Sequence, residues 1–452
     1  MSVIVVGGGW AGLAAAVTLA EHRVPVIVLE GAKQLGGRAR CAAFANQTVD
    51  NGQHLMVGAY TELLRLLNVV GMNHQTAFKR VPLALDIRGL ARDRMLLVTP
   101  RVPSPLNLMT GLLTAHGLSL RESIRALRFC TSLARNRWEA DANISVEALL
   151  IHHRQTGRLS RLLWEPLCLA ALNTPLRDAS AKHFVRVLGD TFGQRKNHSD
   201  FLIPRVNLGE LFPEPAMAFV EQHGGSVKLQ QKATELTIRD GCIVGLIAND
   251  SIKLSAKHVI VATSATACQR LLAPHTLLNE TALKLSQLSY EPITTIYLQY
   301  PPTVRLGREV IGIAGGLSQW LFDRRVAGQP GLMAVVISAS GRHSGMSHSD
   351  LADVVAGEIV RLYPRWPAPI QKLVIEEKRA TFSCRTGVDE FRPQNQTAVQ
   401  GLWLAGDFTD TGYPSTLEGA VRSGIKAAQG VLADLEKEAL ADSAMPHLAA
   451  RA

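Results

Sequence analysis

Glycines 7, 9 and 12 and the acid at position 30 carry the first chemistry legible in this chain. They stand as Gly7-Gly8-Gly9-Trp10-Ala11-Gly12, with Glu30 eighteen residues beyond Gly12. In a G-x-G-x-x-G turn, Gly7 permits the tight bend, Gly9 lets the backbone approach a pyrophosphate, and Gly12 lets the following helix pack close to its strand. The free N–H groups and positive dipole end of the helix opened by Trp10 and Ala11 then face the phosphates. A carboxylate at Glu30 can accept a hydrogen bond from a ribose 2′-hydroxyl and would repel a 2′-phosphate, which disfavours NADP. NAD and FAD both remain open from these residues alone.

The elements that must position these groups follow in order. Residues 3–6 are an apolar strand, an alanine-rich helix follows the glycines, and 26–30 is a second apolar strand ending at Glu30. A helical pattern occupies 61–70. Residues 76–204 are Pro-punctuated, Arg-rich and expected to be mainly helical, with Leu-rich stretches at 106–113, 146–152 and 159–172. A β-pattern returns near 205: a helix at 212–223, then strands near 224–229, 233–239, 242–248 and 257–263. Further strands are expected at 294–300, 311–313 and 332–338, a helix at 349–362, a buried strand at 401–407 and a closing helix at 416–435. The alternation predicts an α/β fold: a Rossmann-like dinucleotide-binding domain with an inserted α+β substrate domain. The expected division is 1–75, 205–280 and 390–435 for the cofactor, 76–204 and 281–389 for the substrate, and a frayed tail over 436–452.

Composition narrows the function classes. The 452 residues are long enough for two or three well-buried domains. No apolar run reaches the roughly 18 residues of a spanning helix, and nothing before residue 7 reads as a signal peptide. Cys41, Cys130, Cys168, Cys242, Cys268 and Cys384 are scattered, as buried thiols of a reducing cytoplasm would be. Neither H-E-x-x-H nor an aspartate-rich D-D-x-x-D occurs, so no metal site is expected. The net charge of +10 is concentrated: between 75 and 138, eleven basic residues (Lys79, Arg80, Arg88, Arg92, Arg94, Arg101, Arg121, Arg125, Arg128, Arg135, Arg137) face only Asp86, Asp93 and Glu122. Over 119–138, Arg121, Arg125, Arg128 and Arg135 form one helical stripe, with Leu120, Ile124, Leu127, Thr131 and Ala134 beside it. Either this is a solvated helix face above a core, or it docks on anionic lipid headgroups. Nucleic acid is disfavoured, because aromatics are 5% of the chain and no stacking platform accompanies the charge.

Two later motifs make a resemblance specific. Gly36-Gly37-Arg38, Leu404-Ala405-Gly406-Asp407 and Glu418-Gly419-Ala420, together with the fingerprint and Glu30, resemble the flavin amine-oxidase and phytoene-desaturase superfamily over nearly the whole chain. Asp50-Asn51-Gly52-Gln53-His54, residues 290–297 and residues 412–424 resemble a narrower group within it, the squalene-associated FAD-dependent desaturases, described as hydroxysqualene dehydroxylases. The resemblance implies FAD as cofactor. It implies that Asp407 holds the ribityl or pyrophosphate portion and that the helix starting near Thr416 and Leu417 faces the flavin pyrimidine edge, where its dipole contributes roughly 0.3–2 kcal/mol. It also implies that Ala233 contacts adenine through its backbone, and that Gly52, Gln53 and His54 pass beside the isoalloxazine.

The departures from the superfamily point to the substrate. Thr416 and Leu417 stand where amine oxidases place an aromatic cage residue, and Ile293-Thr294-Thr295-Ile296-Tyr297 lacks the lysine found near the flavin. The narrower group reduces hydroxysqualene to squalene in bacterial hopanoid biosynthesis, downstream of a squalene-pathway enzyme that makes the alcohol. Hydroxide leaves poorly, so an acid is required; His54 is the first candidate, with Tyr413 and Asp50 behind it. At ~0.8 kcal/mol per CH₂, a C30 isoprenoid has on the order of 20 kcal/mol keeping it in a bilayer. The expected location is therefore cytoplasmic, peripheral on the inner face of the cytoplasmic membrane, with contact through the Arg-rich segment. A phytoene-type desaturase, an amine oxidase and a non-redox prenyl-lipid carrier are the alternative readings.

Overall fold

The computed structural model describes residues 2–91, 93–100 and 102–443. Arg92 and Arg101, and residues 444–452 of the expected tail, lie outside the described residues. Apolar strands Ser226–Leu229, Val26–Glu30, Val3–Val6, Val259–Val261 and Leu402–Leu404 form a five-stranded sheet in that order, parallel at every pairing. Val3–Val6 is buried at all four positions, as a strand covered on both faces must be. The helix Trp10–Glu21 follows this central strand and is buried from Trp10 to Ala20.

A seven-stranded sheet faces it, in the order Gln371–Phe382, Tyr290–Gln299, Leu332–Ser338, Trp320–Asp323, Val310–Ala314, Ala84–Gly89 and Arg94–Val98. Its pairings are antiparallel except that between Val310–Ala314 and Ala84–Gly89. Ala233–Arg239, Cys242–Ala248 and Ile252–Ser255 form a separate antiparallel meander. The chain then re-enters the parallel sheet at Val259–Val261.

Three expectations are corrected. The segment 76–204 is not mainly helical at its start: Phe78–Val81, Ala84–Gly89 and Arg94–Val98 are strands, as is Phe201–Pro204 at its end. Leu85 and Ile87 alternate with Asp86 and Arg88, a period-two pattern masked by charge because Asp86 is itself buried. It sits between Arg88 (3.0 Å), Arg94 (2.8 Å) and Arg308 (3.3 Å). The Arg-rich helix Leu120–Arg135 begins at a Ser119–Glu122 capping box and buries Ser123, Ala126, Phe129, Cys130 and Leu133. The stripe expected against the core does not face it: Leu120 is 67% exposed, and Ile124 and Leu127 are half-buried. Phe129 turns the helix inward instead, meeting Trp164 edge-on at 5.1 Å. Finally, the closing helix runs from Leu417 to Ser443, past the point where fraying was expected. Glu438 holds it to His258 at 3.1 Å.

Candidate active site

A cavity of ≈ 940 Å³ lies where the two large sheets meet, lined at one end by the fingerprint and at the other by the seven-stranded sheet. Gly7 has φ +112, and a Cβ there would stand 2.5 Å from the Ala262 carbonyl oxygen. At Gly12 a Cβ would stand 1.9 Å from the Gly7 oxygen, so Gly12 serves packing and does not line the cavity. Gly9 differs from both: the nearest atom to a Cβ there is 3.9 Å away, on Gly37, so the space above it is a cradle that a side chain would fill. The helix starting at Trp10 has no side-chain cap and no acid in its first turn. Its orphan N–H groups therefore keep their capacity for an anion.

The remaining fingerprint groups converge on the same space. Gly36 N–H donates to the Gly8 carbonyl at 2.9 Å, and Trp10 Nε1 donates to Ala39 O at 3.1 Å. The Glu30 carboxylate accepts from Gly8 N and Ala32 N, each at 2.7 Å. Each of its oxygens retains acceptor capacity for a further donor. Ala233 lines the same end. Arg38 pairs with Asp407 at 2.5 Å, joining groups 369 residues apart, and Ser415 also donates to Asp407. Gly406 lines the cavity beside Asp407, as do Thr416 and Leu417 at the start of the closing helix. Thr416 Oγ1 accepts from Gly419 N–H at 3.0 Å.

The segment 50–54 enters from the opposite side. Gly52, Gln53 and His54 line the cavity, but Asp50 does not. Asp50 is 1% exposed and each of its carboxylate oxygens has a partner, Oδ2 accepting from Arg324 Nη1 at 2.9 Å and Oδ1 from Leu208 N–H at 2.8 Å. Arg324 also donates to Gln53 Oε1 at 2.7 Å. Tyr413 lies outside the cavity too: its hydroxyl donates to Asp190 at 2.6 Å and its ring lies between Arg186 and Arg422. Of the three residues considered for proton transfer, the structure brings His54 alone to the cavity. Its Nδ1 lies 2.8 Å from the Gly52 carbonyl. Burial pushes the imidazole below its ordinary pKa, against the opposing pull of the Gly52 carbonyl and Asp50.

The far wall was not found by sequence reasoning. It consists of Leu169, Ala170 and Ala171 from the helix Glu165–Leu172, with Ile293, Trp320, Phe322 and Val336 from the sheet. Trp320 and Phe322 share one face of a short strand that was not recognised, and period-two alternation was its available signal. Tyr60, also missed, lines the cavity near Thr416. Burial pushes its phenol well above the ordinary value, leaving it a neutral donor. A glycine cradle, an uncapped helix start, an acid set for a ribose and a half-buried Arg–Asp pair suit a flavin dinucleotide in form and charge.

Comparison with known proteins agrees with this geometry. The sequence pattern of the family described as flavin containing amine oxidoreductase matches residues 10–432. A hydroxysqualene dehydroxylase of Sinorhizobium fredii is 27% identical, covering 96% of this chain and 99% of its own. One from Rhodopseudomonas palustris is 28% identical, covering 96% and 98%. The 15-cis-phytoene desaturase of Capsicum annuum is 23% identical, covering 96% and 78%. A crystal structure of an oxidoreductase from Methanosarcina mazei superimposes with a TM-score of 0.75 at 15% identity, covering 95% of this chain and 100% of that one. With the motif order, the cradle and the family match in agreement, this chain belongs to the flavin-containing amine oxidoreductases and is an FAD-dependent oxidoreductase.

Proposed function

We propose that this oxidoreductase reduces hydroxysqualene to squalene, removing the allylic hydroxyl group. One observation carries the reading: the dinucleotide cradle opens onto a wall of Leu169, Ala170, Ala171, Ile293, Trp320, Phe322 and Val336, which carries no carboxylate to pair with an ammonium ion and gives an isoprenoid chain apolar contact. The lysine lining the cavity, Lys232, sits beside Ala233 at the opposite end. The named relatives with the same length and order support this substrate.

Reduced FAD, when bound, supplies the hydride; Gly9, Glu30, Arg38, Asp407 and the helix starts at Trp10 and Leu417 are the groups that would hold it. The apolar wall aligns the chain and excludes water. His54 is anchored through Nδ1 to the Gly52 carbonyl, which leaves Nε2 to take up a proton. Because burial lowers its pKa, protonated His54 is a strong acid, suited to giving that proton to a departing oxygen.

Substrate reaches the site from a membrane in this reading, after an upstream squalene-pathway enzyme has made the alcohol. No helix among the described residues is long and apolar enough to cross a membrane. Contact instead falls to the surface carrying Arg121, Arg125 and Arg128, all exposed, with Leu106, Leu113 and Leu120 exposed beside them. The setting is the inner face of the cytoplasmic membrane. Anaerobic incubation of the reduced holoprotein with hydroxysqualene should yield squalene, while phytoene and simple amines should fail to reduce the oxidised form. Reduction by phytoene would favour the desaturase reading.

A further inference from the structure

Tyr60 lines the cavity beside Thr416, Leu417 and Ala420 at the start of the closing helix, and neither the dinucleotide cradle nor the proton path uses it. Its backbone is fixed on both sides: Tyr60 N–H donates to Val57 O, and its carbonyl accepts from Leu64 N–H, each at 3.0 Å. The residue thus stands at the start of the helix Thr61–Val69. Glu418 ties that start to the closing helix, accepting from Glu62 N–H at 3.1 Å, Leu63 N–H at 3.0 Å and Arg422 Nε at 2.8 Å. Two helices therefore hold the half-buried ring against the cavity.

The phenol stays protonated there. Burial and then the Glu418 carboxylate push its pKa up, against a hydrogen bond with the Thr416 hydroxyl that pulls it down. A hydroxyl with that effect donates to the phenol oxygen, which leaves the phenol O–H for another acceptor. Glu418 does not line the cavity, so the acceptor on that side has to come with a ligand.

Which part of the ligand lies here follows from its other end. Gly9, Glu30 and the helix start at Trp10 suit the phosphates and a ribose, and Lys232 and Ala233 line that same end. The ring system then extends past Arg38 and Asp407 towards His54, Tyr60 and the second helix start at Leu417. The positive end of that helix favours negative charge, and a flavin carries such charge at its pyrimidine edge only when reduced.

We propose that the Tyr60 hydroxyl donates a hydrogen bond to the pyrimidine edge of the flavin and holds the reduced, anionic form more tightly than the oxidised one. A hydrogen bond to a charged acceptor is roughly twice as strong as one to a neutral acceptor. A donor at this edge therefore sets the balance between the redox states as well as binding, and a flavin held this way is more readily reduced by its electron donor. The inference is independent of the substrate.

Its test accordingly contains no substrate. Tyr60→Phe keeps the ring and removes the hydroxyl; FAD affinity is measured in both redox states, and the midpoint potential is read anaerobically against a reference dye. Affinity for reduced FAD should fall about tenfold further than affinity for oxidised FAD, lowering the two-electron potential by about 30 mV. The pH at which the reduced flavin takes up a proton at N1, followed by its absorbance, should rise by about one unit. Met56→Leu changes shape at the same end of the cavity and should alter both affinities alike, leaving the potential in place. Equal losses of the two affinities in Tyr60→Phe, an unchanged potential, or the same potential shift in Met56→Leu would overturn the assignment. Failure here leaves the reading of hydroxysqualene as substrate standing, and failure of hydroxysqualene turnover leaves this inference standing.

Discussion

Arg324 holds together a segment that it does not follow in sequence. Its guanidinium, 4% exposed, reaches both Asp50 and Gln53, fixing the turn that presents His54 to the cavity. Removing it leaves the Asp50 carboxylate buried without its ion partner, a change that costs about 3–5 kcal/mol. Arg324→Met should therefore lower stability and, by loosening the turn, reduce kcat by roughly 10–100-fold; Arg324→Lys should recover part of both. Flavin content and urea midpoints of the two variants check this, and wild-type kcat in Arg324→Met would contradict it. At this scale the sequence was legible where chemistry demands a fixed spacing, as in the glycines, Glu30 and Gly406-Asp407. It was silent on Arg324 because an ion pair spanning 274 residues leaves no local pattern. The same reason misdirected the roles given to Asp50 and Tyr413: each has a titratable side chain near a motif, and each is occupied by a distant partner.

Elements were legible when apolar residues recurred at the period of the element and obscure when charge was buried. Leu332–Ser338, Ala233–Arg239 and Leu106–Leu113 have the bounds read from the sequence. Ala84–Gly89 was missed because Asp86 and Arg88 put charge on the face opposite Leu85 and Ile87 of a short strand. Burial raises the Asp86 pKa, but hydrogen bonds from Arg94 and Arg88 outweigh it and hold the carboxyl below its ordinary value. With the folded pKa depressed, the stabilisation is present above the unfolded value, about pH 4, and is lost as pH falls through the folded one. Asp86→Asn should cost roughly 2–3 kcal/mol at pH 7, and its deficit against wild type should shrink below pH about 4. Urea titrations at the two pH values measure this; a deficit independent of pH would contradict the assignment. The Arg-rich helix carries its own prediction. Substituting Arg121, Arg125 and Arg128 with Glu should abolish co-sedimentation with anionic liposomes, since each basic side chain contributes about 1 kcal/mol at such a surface. Undiminished binding would exclude that face as the contact.

At the scale of the whole molecule, the cavity exists only because distant segments meet. The fingerprint lies in the first forty residues, Asp407 and Thr416 near the end, and the apolar wall in two stretches between them. Motif order conveyed the cofactor half, since phosphates and ribose impose residue types at set intervals. The substrate half makes no such demand: any well-packed apolar side chains of suitable size can form a hydrocarbon wall, so Trp320, Phe322 and Leu169 read in sequence as ordinary core. The absence of the flavin-side lysine from Ile293–Tyr297 and of an aromatic cage residue at Thr416 and Leu417 was legible, and it pointed toward an uncharged substrate without locating the wall. Reduction of hydroxysqualene is the central claim, and a single-turnover experiment tests it most directly. Purified holoprotein, its flavin fully reduced and oxygen excluded, is mixed with hydroxysqualene while flavin absorbance and products are followed together. Reoxidation of the flavin with formation of one squalene per flavin is the predicted result; a flavin that stays reduced, with hydroxysqualene recovered intact, would contradict the account.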